Sequence, residues 1–279
     1  MIVCKELGGK SFATKEEMIK ELVENKSQII SVKKMETKQA DAVVYVTPAT
    51  TTKGETIKAD NVDLSSINEI KASLVINTTN LMDSHSDVHM KGIWKKSVKE
   101  AKNIVLLQEH IMKFDHIISD NVTASVKEMA WADLGVNYKG TTEALIFDTT
   151  ISKSRNEFMF MQYAKGYVKN HSVGMKYVQL ELAVDSESKW YSEEKEVWDK
   201  YIDEVVNKED AIQQGYFWVV TEAKIIEGSA VVKGSNYVTP VLSASAKNIE
   251  PDKSTQTNEP TQVTQGKNAI DWQSVINKF

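Results

Sequence analysis

The chain has 279 residues, a formal net charge of −5, 41% hydrophobic and 26% charged residues, which is the profile of one large globular domain or one domain with appendages. The negative balance argues against a general nucleic-acid binder, though not against a local basic patch. The single cysteine, Cys4, cannot make an internal disulfide, which fits a reducing compartment. No apolar run reaches the roughly 18 residues of a membrane span, and the first residues lack the basic-then-apolar order of a signal peptide. A soluble protein made and used inside a cell is expected.

In chain order, Thr14 with Glu17 three residues on forms a capping box. Met18, Leu22 and Val23 then follow at helical spacing. The run 27–32, S-Q-I-I-S-V, looks like a strand, and so does 42–46. The Thr-, Lys- and Asp-rich remainder up to about residue 66, broken by Pro48 and Gly54, looks like a loop. This N-terminal third is expected to be an appendage of the main fold. A strand is predicted over 72–77, an amphipathic helix carrying Ile93, Trp94 and Val98 after Gly92, and a strand over 103–110 that puts Leu106, Gln108 and His110 on one face. Further strands at 122–129, 131–138 and 143–149, separated by turns, point to a closed or rolled antiparallel sheet. A helix over 155–165, capped by Ser154, ends at Gly166.

The stretch 165–178, K-G-Y-V-K-N-H-S-V-G-M-K-Y-V, then begins an alternating strand. Alternation turns His171, Val173, Met175 and Tyr177 one way and Ser172 and Gly174 the other. A strand serine beside a glycine, whose N–H can approach a bound carbonyl closely, suits a nucleophile with an oxyanion donor. Strands carry many serines that do nothing of the kind. Residues 185–210 hold ten Asp or Glu against four Lys, a local net of −6. Trp198, Ile202, Val205 and Val206 supply an apolar helical stripe there, and the segment is expected to form a lobe beside the active-site cleft. A long strand or strand pair returns over 216–232. Beyond 246 the composition is that of a linker, closed by a short segment with Trp272, Val275, Ile276 and Phe279 at helical spacing.

Two other constellations carry chemistry. Asp83, His85, Asp87 and His89 alternate. As a strand they would present four metal-type ligands on one face. As a loop they would hydrogen-bond their own backbone. His110 and His116 each have the chemistry of a general base for Ser172. Glu227 is an acid inside the apolar run 225–231. It either orients a catalytic imidazole or faces water at a sheet edge.

The order of these pieces resembles the prohead maturation proteases of tailed phages, which are distantly similar to herpesvirus assemblin. Asp83-Ser-His-Ser-Asp-Val-His-Met-Lys-Gly92 is similar to their D-x-x-x-D-V-x-x-x-G. Leu106-Leu-Gln-Glu-His110 is similar to L-L-x-x-H. Gly166 through Asn170-His-Ser-Val-Gly-Met175 is similar to G-x-x-x-x-S-[VI]-G-[FM], and Glu227-Gly-Ser-Ala-Val231 with Asn236 to E-[IV]-S-L-V followed by P-A-N. The resemblance covers about residues 70–245. It departs at Gly228, where a β-branched residue is expected, at Gly234-Ser235 in place of Pro-Ala, and in the length of the acidic insertion.

The resemblance implies a serine endopeptidase that cleaves scaffold and major capsid protein inside the prohead, in the host cytoplasm. His110 and Ser172 would be catalytic, and Gly174 the backbone oxyanion donor. Glu227 falls where the third catalytic member is expected; assemblin-type enzymes use a second His there, so His116 or an Asp remains an alternative. It also makes 83–89 a structural turn, so no metal and no cofactor are expected. No nucleic acid or membrane partner is expected, and a homodimer is left open. The expected fold is α+β: a mostly antiparallel β-barrel or rolled sheet with flanking helices, assemblin-like. The appendage is 1–69, the protease domain 70–246 with a helical insertion at 185–215, and a flexible linker and short helix occupy 247–279. The bond Ala244-Ser245 resembles the Ala-Ser bond that assemblin-type enzymes cut, so self-release there is an expectation. The other reading is a non-enzymatic β-rich capsid-assembly protein that keeps the protease fold.

Overall fold

Strand β10 (Tyr216–Val231) is the spine of the body, because it pairs along both edges. On one edge it carries β9 (Asn170–Val184), antiparallel, for almost its whole length. On the other it pairs in parallel with two short strands, β4 (Asp87–His89) and β5 (Leu106–Gln108). Strand β6 (Ile117–Ser119) continues this sheet from β5. A second sheet has the order β11 (Val241–Asn248), β3 (Ile67–Thr78), β8 (Thr141–Ser152), β7 (Val122–Ala130), all antiparallel. A small ribbon, β1 (Ile2–Cys4) with β2 (Lys10–Phe12), is a sheet of its own whose Cys4 and Phe12 reach the main core. These elements come from a computed structural model describing residues 1–38, 67–232 and 241–248. The strand expected at 42–46, Asn236 and the apolar stripe from Trp272 to Phe279 lie outside the described residues.

The two large sheets share one core. Leu74, Ile76, Leu145 and Phe147 from one meet Val173, Met175, Trp218 and Val220 from the other. The resulting architecture is a mixed α/β fold with largely antiparallel sheets and flanking helices. The described strands do not close into a barrel, contrary to that part of the expectation. The parallel strands β4 and β5 are the physical reason. Each runs for three residues along β10 and then leaves it, so the sheet stops at β6 and keeps its edges.

Helices cover the faces. α1 (Lys15–Glu24) starts with the expected reciprocal Thr14–Glu17 capping box, and α2 (Lys26–Met35) follows directly. The strand expected over 27–32 is thus helical. Its Ile-Ile-Ser-Val run is β-prone locally, but Ile29 and Lys33, one helical turn apart, are both buried. Tertiary burial of that stripe overrides the local preference. Residues 1–38 are also more than a decoration: Met18, Ile19, Leu22 and Ile29 belong to the main core, and Met1–Asn248 forms one compact unit. The predicted strand at 131–138 is a tight turn at Trp131–Leu134, ended by Gly135 in a left-handed conformation. α3 (Lys95–Glu100) packs on β10 through Ser97, whose hydroxyl accepts from the Ile225 amide. α4 (Glu157–Ala164) is capped by Asn156 instead of Ser154.

The acidic insertion contains α5 (Ser192–Tyr201) and α6 (Lys208–Gln214). It is not a lobe beside the site. It joins the end of β9 to the start of β10, and Trp198, Val205 and Ala211 are buried against Ala183, Phe217 and Val219. Buried Glu194 pairs with Lys26 of α2. Ser172 lies twelve residues up β9 from Val184, roughly 40 Å of extended strand at about 3.3 Å per residue. The acidic charge therefore sits at the opposite end of the strand pair.

β11 adds a further consequence. Ala244 and Ser245 pair with Ala72 and Lys71 of β3, so the Ala244-Ser245 bond lies inside a ladder of the compact unit, on an edge strand.

Candidate active site

Irregularities in β10 build the site. At its start Trp218 and Val220 enter the main core while Phe217 and Val219 face the other way. Bulges between Val220 and Glu222, between Glu222 and Ala223, and between Ile225 and Glu227 shift that phase. Ala223, Ile225 and Ala230 consequently face the core, as does Gly228, where a side chain would strike Phe147 at 2.5 Å and Ile76 at 3.3 Å. Glu227 and Ser229 are turned to the opposite face. The departure from the β-branched residue at 228 thus has a steric reason: β10 approaches the second sheet too closely for a Cβ.

Glu227 is 3% exposed and lies on the central strand, so it is no water-facing edge carboxylate. One oxygen accepts from His110 Nδ1 at 2.6 Å and the other from the Ser229 hydroxyl at 2.6 Å. Across the strands Glu227 pairs with Gly174, and a Cβ on Gly174 would fall 1.9 Å from Glu227 Oε1. The glycine expected to serve an oxyanion therefore also has a steric role, which is to make room for the carboxylate.

His110 reaches Glu227 through a sharp turn. The parallel ladder between β5 and β10 ends at Gln108 opposite Ala230. Glu109 and His110 then take φ of 51° and 60°, a left-handed conformation that costs a non-glycine residue about 1–2 kcal/mol. Alternation along a strand over 103–110 therefore does not set the direction of His110. The turn drops its imidazole beside β10, with its amide donating to Ser229 Oγ at 3.0 Å. With Nδ1–H donating to a carboxylate, Nε2 carries the lone pair, which is the tautomer a general base needs.

Ser172, 6% exposed, is the cross-strand partner of Ser229. Directly opposed residues share a face with Cβ atoms about 4.5–5.5 Å apart. Ser172, Gly174, Glu227 and Ser229 therefore share one face of β9 and β10. Glu227 and His110 are joined by a direct bond, and Ser172 joins them through the sheet register. The neighbouring His171 faces the core and is hydrogen-bonded to the Tyr163 hydroxyl of α4 at 2.8 Å, where burial pushes the Tyr163 phenol up.

No protein-family model, curated protein or solved structure matches this chain. The functional reading therefore rests on this geometry and on the residues themselves.

Two sequence candidates fall elsewhere. His116 is bonded to its neighbour Asp115 at 2.9 Å in a surface turn, and the bond holds the Asp115 carboxyl below its usual range. His116 makes no bond to Glu227 here. The 83–89 segment is a turn only in its first half, where Asp83 Oδ1 accepts from the amides of His85 and Asp87; Asp87 to His89 form strand β4. Among the described residues no group of three or more His, Cys, Asp or Glu side chains is placed to hold a metal. Instead Asp87, with its side chain fully buried, forms an ion pair with Lys33 of α2 at 2.5 Å and accepts from the Tyr177 hydroxyl at 2.7 Å. His89 contacts Tyr177 and Asn77, both at 3.2 Å. This network fastens the N-terminal helices to β4 and β9. Among the described residues no helix is long and apolar enough to cross a membrane.

Sequence reasoning passed over Ser229. Its signal was present: a hydroxyl two residues after a strand carboxylate shares its face.

Proposed function

We infer that this chain is a serine endopeptidase of the prohead-maturation type, with scaffold and major capsid protein as substrates and the prohead interior as its place of action. The observation that carries the reading is the buried bond between His110 Nδ1 and Glu227, on the same sheet face as Ser172. A buried carboxylate that fixes an imidazole tautomer next to a strand serine is the arrangement of a base–nucleophile pair. In this reading Ser172 Oγ attacks the scissile carbonyl and His110 Nε2 takes its proton. Glu227 stabilises the imidazolium that forms, and the Gly174 amide receives the oxyanion. The proton then passes from His110 to the leaving amine, and water repeats the cycle on the acyl-enzyme.

A fluorophosphonate probe on the full chain, read by mass spectrometry, tests this. Labelling at Ser172 is expected, absent in Ser172→Ala and strongly reduced in His110→Gln. A folded wild-type chain that is unlabelled at Ser172 and leaves capsid and scaffold protein intact would instead be the non-enzymatic assembly protein. The same spectra report self-release, because cutting Ala244-Ser245 requires β11 to leave β3 first.

A further inference from the structure

We propose that Ser229 is a positioning residue that locks His110 and Glu227 into one geometry. The inference rests on the protease reading above and adds a residue to it. The Ser229 side chain is fully buried and makes two bonds at once. Its hydroxyl proton goes to Glu227 Oε2 at 2.6 Å, and its oxygen accepts the His110 amide at 3.0 Å. It therefore holds both partners of the 2.6 Å His110–Glu227 bond.

Each bond answers a specific need. Just past the end of the ladder between β5 and β10 at Gln108, the Glu109 amide still donates to the Ala230 carbonyl at 2.9 Å. The left-handed turn then swings the His110 amide out of the ladder, and an unsatisfied buried amide costs about 1–3 kcal/mol. Ser229 Oγ supplies its acceptor. The left-handed backbone that aims the imidazole is thus pinned by the residue that also pins the carboxylate. The second bond acts on Glu227, whose side chain rotates about Cα–Cβ, Cβ–Cγ and Cγ–Cδ, the last of which sets the plane of the carboxylate. With Oε1 on His110 and Oε2 on Ser229, the carboxylate plane is fixed from both ends, and Gly174 leaves it the space to lie there. Cross-strand pairing with Ser172 puts this clamp opposite the nucleophile. A hydroxyl is the required group, because it donates to the carboxylate while accepting from the amide.

The test compares Ser229→Thr with Ser229→Val, which have nearly the same shape and differ in the hydroxyl, with Ser229→Ala as a smaller variant in case the added methyl is not accommodated. Two measurements are made on the full-length chain. One is the proton NMR resonance of His110 Nδ1–H, assigned by its loss in His110→Gln and expected downfield because of its short bond to a carboxylate. The other is kcat and KM on a capsid-protein peptide. Val and Ala should broaden or shift the resonance and lower kcat about 10²-fold with little change in KM, the scale of a misplaced catalytic group. Thr should retain the resonance and most of kcat. If Thr does not fold, Ala against wild type makes the same comparison. Val matching Thr in both measurements, or Ala matching wild type, overturns the positioning role while leaving the protease reading intact. A wild-type chain that cleaves nothing, but whose resonance still depends on the hydroxyl, overturns the protease reading and leaves the clamp standing.

Discussion

Replacing Gly174 with alanine adds a single methyl group and should dismantle the site. Its Cβ would lie 1.9 Å from Glu227 Oε1, 2.7 Å from Cδ and 3.0 Å from Cγ, where carbon and oxygen need more than 3 Å. The carboxylate must retreat by over 1 Å, and it is held by two 2.6 Å bonds, to His110 and Ser229. Hydrogen bonds to a charged group are worth about 1.5–3 kcal/mol each. Losing one and straining the other therefore costs about 3 kcal/mol. In a domain of this size that lowers Tm by roughly 6–12 °C. Turnover should fall at least about 10²-fold, because the imidazole loses its fixed orientation. Thermal denaturation of the single variants and of the double variant Gly174→Ala/Glu227→Ala completes a double-mutant cycle. All three close contacts belong to Glu227 atoms that Glu227→Ala removes, so the added methyl should cost little in that background. A full Gly174→Ala penalty persisting without the Glu227 carboxylate would refute the steric reasoning, as would a single variant that melts like wild type.

The buried pair between Lys33 and Asp87 should be equally exposed to removal of one partner. Lys33→Met leaves Asp87 buried with the Tyr177 hydroxyl but without its cation. A loss of about 3–5 kcal/mol in urea denaturation is expected, and much of it should return in Lys33→Met/Asp87→Asn; no recovery would show that the pair contributes through packing and not through charge. His89 should make stability depend on pH. Burial lowers its pKa from 6.5, with the Asp83 and Asp87 charges opposing. Below about pH 6.5 the unfolded chain binds a proton that folded His89 refuses, so stability must fall as pH falls, by up to about 1.4 kcal/mol per pH unit. His89→Gln should flatten that slope between about pH 7 and 5 relative to wild type, and identical slopes would assign the dependence to other groups.

Much of the local structure is legible in the amino-acid order. The Thr14–Glu17 capping box, the strand through Ser172 and the acid in the last long strand all declare themselves through short-range pattern, because capping and side-chain alternation depend on neighbours a few residues away. The motif order also brings out His110, Glu227 and Ser172 as one set. Local pattern does not supply what a distant partner sets. Residues 27–32 look like a strand until Ile29 and Lys33 are seen to be buried along one side of α2. Alternation along 103–110 gives His110 a direction that its left-handed turn replaces. The acidic insertion, adjacent in sequence to the Ser172 strand, lies at the far end of the β9–β10 pair because antiparallel pairing puts the connection opposite the site. The glycines show the same division. Gly174 and Gly228 are small because Glu227 and the Phe147–Ile76 pair crowd them from other strands. Short-range pattern determined where many of the described helices and strands lie and, for most of them, which faces they bury. Only the tertiary structure decided that His110, Glu227 and Ser229, separated by up to 119 residues, would share one clamp. Bulge phase and cross-strand register, which bring them together, are properties of paired strands and of no single segment.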